Sequence, residues 1–77
     1  MPRSEIDHIA VDPNVRFGKA CVRGTRITVG EVLEFLASGR VEIDLLTEYP
    51  QLTRVDVLAC FAWAARREQG GGSDQGA

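Results

Sequence analysis

The side chains of this chain that can do chemistry are one histidine, His8, two cysteines, Cys21 and Cys60, eleven carboxylates and nine lysines and arginines. A structural zinc site draws three or four ligands from closely spaced cysteine and histidine, and here there is no C-x-x-C pair and a single histidine. Nucleophilic catalysis needs a serine or cysteine beside a base; neither cysteine has that context, and such residues more often serve as small buried hydrophobes. Gly18-Lys19 lacks the G-x-x-x-x-G-K spacing of a phosphate loop. The carboxylates are spread over helical stretches where solvation accounts for them, and 77 residues build a core with little room for a substrate cavity. The expectation is a protein with no enzymatic activity, no cofactor and no metal.

The cationic residues are more informative. Net charge is −2, which argues against a strongly basic nucleic-acid binder, but the charges are segregated. Residues 1–28 carry Arg3, Arg16, Lys19, Arg23 and Arg26 against Glu5, Asp7 and Asp12, a balance of +2. Residues 29–56 carry Arg40 and Arg54 against Glu31, Glu34, Glu42, Asp44, Glu48 and Asp56, a balance of −4. A basic arm thus precedes an acidic body. Arg16, Lys19, Arg23 and Arg26 are candidates for contacting phosphates, doubled if two copies pair. The competing explanation is a solvated sheet edge whose charges discourage aggregation.

The elements that must position these residues follow from local pattern. Ile6, Ile9 and Val11 before Asp12-Pro13-Asn14 predict a short strand closed by a turn. Cys21-Val22 and Arg26-Ile27-Thr28 around Arg23-Gly24-Thr25 predict a hairpin, with turns at Gly18 and Gly24. Thr28-Val29-Gly30-Glu31 has the capping-box spacing, and Val29, Val32, Leu33 and Leu36 recur on one helical face up to Gly39, which predicts a helix over 29–38. Ile43, Leu45, Leu46 and Tyr49 before Pro50 predict a second, over 41–48. Thr53-Arg54-Val55-Asp56 repeats the capping box and opens a third, running to about Glu68. The chain divides into an N-terminal β-arm at 1–28, three helices at 29–68 and a flexible glycine-rich tail at 69–77. The fold class is mainly α, a three-helix helix-turn-helix bundle of homeodomain-like layout behind a short β-arm. In that layout the start of the last helix faces the major groove, which offers Gln51, Thr53 and Arg54, with Asp56 opposing.

In the third helix, Val55, Leu58, Ala59 and Ala62 are expected to face the core. Val57, Cys60, Phe61, Trp63 and Ala64 cover much of the remaining circumference, more than one small domain can hide. They are the candidate oligomer interface, and a homodimer or higher oligomer is expected. The longest apolar run, Val57 to Ala65, is far short of the roughly 20 residues of a membrane span, and Arg3, Glu5 and Asp7 interrupt any export signal. The expected setting is cytoplasmic, with free thiols and no membrane association.

Asp12-Pro13-Asn14-Val15-Arg16-Phe17-Gly18-Lys19, then Gly24-Thr25-Arg26-Ile27-Thr28-Val29, then Tyr49-Pro50-Gln51-Leu52-Thr53 closely resemble the family called domain of unknown function 433, over about residues 5–67. The resemblance implies a homeodomain-like helix-turn-helix protein with a β-arm, similar to VapB-type antitoxins. Gly18, Lys19, Gly24, Thr25 and Arg26 occupy the arm motif; Tyr49, Pro50, Leu52 and Thr53 occupy the turn into the third helix. The chain departs from the pattern at Ala20, where a proline usually stands, and at Val41, where serine or threonine usually caps the second helix. The implied function is that of an antitoxin-like DNA-binding regulator that binds operator DNA and neutralises a PIN-like ribonuclease toxin of a toxin-antitoxin pair. The rival expectation is a protein-protein interaction module that oligomerises and binds a basic partner without binding DNA.

Overall fold

Thr28 and Thr53 each precede a helix and each stand three residues before a carboxylate, and both pairs close reciprocal caps. The Thr28 hydroxyl accepts from Glu31 N–H at 3.0 Å while Glu31 Oε1 accepts from Thr28 N–H at 2.9 Å. Asp56 Oδ2 accepts from Thr53 N–H at 2.9 Å, and Asp56 N–H donates to the Thr53 hydroxyl at 3.3 Å. Each cap satisfies amides that a helix start otherwise leaves unpaired. The computed structural model, which describes residues 7–75 and side chains as far as Gln69, accordingly has a helix α1 at Val29–Ala37 and a helix α3 at Arg54–Gln75. Between them α2 spans Glu42–Glu48. Its cap residue, Val41, has no oxygen to offer, so only Asp44 reaches back to the Val41 amide, at 3.4 Å.

Two strands precede the helices. β1, Ile9–Val11, pairs antiparallel with β2, Ala20–Val22, in the register Ile9 with Val22 and Val11 with Ala20. The architecture is a two-stranded hairpin followed by three helices, mainly α as expected. Ile6, assigned to the first strand from sequence, lies outside the described residues. The hairpin expected between 21–22 and 26–28 is reduced to a single bridge, Cys21 with Thr28, around a turn closed by Thr25 N–H to Val22 O. Residues 26–28 cannot extend that ladder because Thr28 is committed to capping α1. Gly18 and Gly24 take φ of +81° and +83°, as their turn assignment required.

The core gathers Ile9 and Val22 from the sheet, Ile27, Val29 and Val32 from the entry and inner face of α1, Leu45 from α2, and Leu52, Val57, Ala59 and Cys60 from the turn and α3. Phe35 packs edge-on to Tyr49 with centroids 6.2 Å apart and lies under the Arg40 guanidinium, joining α1 to α2. Three sequence assignments are corrected here. The buried side of α3 is Asp56, Val57, Ala59 and Cys60, whereas Val55 and Leu58 are exposed. A helix with apolar residues all round does not fix its own phase; the capping carboxylate does, because Asp56 turns inward to meet His8. In α2 the inward residue is Leu45, and Ile43 is 68% exposed. Finally, α3 runs past Glu68 and through Gly70 to Gln75, where the sequence predicted a flexible tail; residues 76 and 77 lie outside the described residues.

Asp56 also hydrogen-bonds His8 Nδ1 at 2.5 Å through its other oxygen, tying the start of β1 to the start of α3. Replacing Asp56 with alanine removes a helix cap and leaves His8 without its acceptor. The expected cost is about 1–3 kcal/mol in urea unfolding followed by Trp63 fluorescence. His8→Ala should cost less in the Asp56→Ala background than alone, since the two changes remove the same bond.

Candidate macromolecule-binding surfaces

Of the basic residues picked out in the arm, Arg16 and Lys19 border one recess and Arg23 and Arg26 another. Arg16 sits in a turn, Arg16–Gly18, whose three residues all take positive φ: 49°, 60° and 81°. For arginine and phenylalanine a left-handed backbone costs roughly 1–2 kcal/mol each. The compensation is visible: Arg16 Nη1 donates to Arg26 O at 2.7 Å and to Glu31 Oε1 at 3.2 Å, and Nη2 donates to Glu31 Oε2 at 3.0 Å. Arg16 is therefore a structural clamp with its charge largely spent on Glu31. The turn carries Phe17 at its tip, 96% exposed.

Arg23 is also employed internally. Its Nε–H donates to Asp7 O and its Nη2–H to Ile9 O, while its backbone N–H donates to His8 O. Because His8 bonds to Asp56, this chain of bonds sets Arg23 at the same end of the molecule as the first turn of α3. Gln51, Thr53 and Arg54 are exposed at that end. Arg26 and Lys19 are exposed, and among the described residues Lys19, Arg26 and Arg54 enter no ion pair. Arg23 and Arg26 border a recess of about 410 Å³ that also touches Gly24 and Thr25.

A second, larger groove of about 820 Å³ opens between the Arg16–Gly18 turn, the first turn of α1 and the middle of α3. Its apolar floor includes Ala20, Leu33, Trp63 and Ala64, and its rim carries Arg16, Lys19 and Arg67 with Glu31, Glu34 and Glu68. Of the expected interface residues, Trp63 and Ala64 thus line this groove and Phe61 is 46% exposed. Val57 and Cys60 are instead sealed in the core of their own chain, which corrects their assignment to an oligomer interface. The exposed apolar side of α3 is formed by Val55, Leu58, Phe61 and Ala65, with half-buried Ala62 among them. The spacing of Val55, Leu58, Ala62 and Ala65 is three, four, three, a seam that a second helix can match.

Titratable chemistry is sparse. Both cysteines are free thiols and buried. Burial, with Asp56 nearby, pushes the Cys60 thiol up to about 11, which keeps it protonated near neutral pH. No group of three or more histidine, cysteine or carboxylate side chains among the described residues is placed to hold a metal, and none of the described helices is long and apolar enough to cross a membrane.

The Glu31 carboxyl is held below its ordinary value of 4.5, first by the Arg16 hydrogen bond and then by the Thr28 amide. A carboxyl lowered by folding contributes stability above its unfolded-state pKa, and that contribution disappears as pH falls through the folded value. Thermal stability should therefore decline on acidification from pH 5 toward about pH 3 more steeply in the native chain than in Glu31→Gln. The difference should be modest because the pair is partly solvated. Circular dichroism melts across that range check it.

Residues 9–64 match the family model described as protein of unknown function (DUF433). The fold is similar to the crystal structure of a DUF433 member protein from Anabaena variabilis, with a TM-score of 0.77 and 26% identity, over 91% of this chain and 80% of that one. A search of curated proteins returns no match. With the match spanning both strands, α1, α2 and the first half of α3, the chain belongs to the DUF433 family.

Proposed function

We propose that this chain is an antitoxin-like DNA-binding regulator: a helix-turn-helix module that engages duplex DNA with the start of α3 and with the basic β-arm, and that neutralises a PIN-like ribonuclease toxin as the second half of its role. The observation that carries the DNA half is the latched end of α3. The turn Tyr49–Thr53 after the two-turn helix α2 presents Gln51, Thr53 and Arg54 outward at the first turn of the long helix. The His8–Asp56 bond fixes that turn against the strand whose backbone holds Arg23. A helix start presented beside a basic arm is the arrangement by which helix-turn-helix proteins read the major groove and hold the flanking phosphates. Asp56 is removed as an opponent, since it is buried and bonded to His8 rather than directed at a ligand. Of the cations picked out in the sequence, Arg54, Arg26 and Lys19 enter no ion pair among the described residues and are the ones proposed to meet phosphates; Arg16 and Arg23 act by shaping the arm.

A homodimer serves this role, since pairing doubles the basic ends and matches a two-fold DNA site. The exposed seam of α3, Val55, Leu58, Ala62 and Ala65 flanked by Phe61, is the surface proposed to pair. The rival, a protein-binding module without DNA affinity, is favoured by one specific feature: the outward carboxylates Asp44 and Glu48 of α2, which give that helix an acidic face suited to a basic partner such as a toxin.

Fluorescence anisotropy against a duplex from upstream of the gene, at several salt concentrations and beside an unrelated duplex, tests the first proposal. Specific binding should weaken steeply with salt, and Arg54→Ala and Arg26→Ala should each reduce affinity about tenfold and flatten the salt slope by about one. Binding absent, or equal on both duplexes, overturns it in favour of the protein-binding module. In sedimentation, Leu58→Glu should lower the mass of the assembly by removing the contact made through the α3 seam, because a buried unpaired charge in a helix seam is costly; an unchanged mass refutes the seam.

A further inference from the structure

The turn at Arg16–Gly18 does something the DNA proposal has no use for. It spends strained backbone at two non-glycine residues, and three hydrogen bonds from Arg16, on displaying a phenylalanine that touches almost nothing of its own chain. A hydrophobic ring held in solvent by a rigid, strained turn is an anchor awaiting a pocket. The large groove lies beside this turn, since Arg16, next to Phe17, and Lys19, two residues after it, form part of its wall.

We propose that Phe17 docks into the corresponding groove of a second copy of this chain, against Leu33 and Trp63, in a reciprocal exchange across a two-fold axis. Three features single out a second copy as the occupant. The anchor and the receiving groove sit side by side on one surface, which is the condition for a self-complementary, two-fold contact in which each copy both gives and receives. The groove floor offers Trp63, Leu33 and Ala20 to an aromatic ring, and its volume of about 820 Å³ is ample for one phenyl group and the turn behind it. The rim is balanced in sign: Lys19 and Arg67 stand with Glu34 and Glu68, so a copy turned by two-fold symmetry can set cations against carboxylates rather than like against like. A strongly acidic or basic partner would meet repulsion from half of that rim. The contact uses neither the α3 seam nor the DNA-facing end.

The test measures sedimentation and Trp63 emission over a dilution series for the full chain, in the Leu58→Glu background so that the α3 seam does not contribute. Trp63 is the only tryptophan and lines this groove, so in the folded chain its emission responds when the groove is covered. Association should bring a blue shift of Trp63 emission with rising concentration. Phe17→Ala should raise the concentration of half-association about tenfold or more and abolish the shift, while Phe17→Leu should restore part of both. At concentrations below association, unfolding by urea should be unchanged in Phe17→Ala, because the ring is in solvent in the isolated chain. Absence of association, association unaffected by Phe17→Ala, or association without a change at Trp63 would each overturn the proposal.

Discussion

Two carboxylates hold this small protein together by doing two jobs each. Glu31 caps α1 through the Thr28 amide and, with the same head group, grips Arg16 across fifteen residues. Asp56 caps α3 through the Thr53 amide and grips His8 across forty-eight. Between them they fasten the two ends of the β-arm to the starts of the two longer helices. A two-stranded ribbon of three residues a side has no independent stability in water; here it inherits order from helix caps that would exist without it. Among the described residues no buried side-chain nitrogen or oxygen lacks a partner, as expected where each buried polar group is used twice.

That arrangement redistributes the charges. A count of basic residues in the arm suggests a cationic patch, yet Arg16 faces Glu31 and Arg23 is turned onto the backbone of Asp7 and Ile9. These two cations hold the arm in shape. Of the arm's cations that leaves Lys19 and Arg26 exposed and outside any ion pair among the described residues, so any nucleic-acid affinity of the arm must come from position and copy number rather than from bulk charge.

Local grammar made most of the fold legible. The Thr–Glu and Thr–Asp spacings marked both helix starts, Gly39 marked the end of α1 with φ of +97°, and Pro50 fell just past the end of α2. What the sequence withheld was long-range. Nothing near His8 points to a residue forty-eight positions away, so a histidine dismissed for lack of a nucleophile became the latch of α3. The phase of α3 was illegible for a related reason: with apolar residues around its whole circumference, periodicity favours no face, and Asp56 chose the inward one. Hence Val57 and Cys60 went to the core, Val55 and Leu58 to the surface. The exposed Phe17 could not be foreseen either, because a left-handed backbone at arginine and phenylalanine contradicts their propensities and is held only by the distant Glu31.

The surfaces left over follow from size. A chain this short buries a limited share of its apolar area, and Leu45, Val22, Val32, Val57 and Cys60 fill the centre of its core. Apolar residues beyond that number must lie outside, and in this molecule they are organised: a seam along the outer side of α3, a ring held forward on a clamped turn, and a groove floored by Trp63. Scattered exposed hydrophobes require no explanation, but a strained turn retained to hold one aromatic ring in water does, since relaxing Arg16 and Phe17 to ordinary backbone would recover roughly 1–2 kcal/mol at each. In a protein of marginal stability that is a large fraction of the total. Within the chain the strain is offset by the three hydrogen bonds of Arg16 to Arg26 and Glu31; those bonds hold the turn but leave the ring uncovered, and the proposed docking would add the burial that the single chain does not supply.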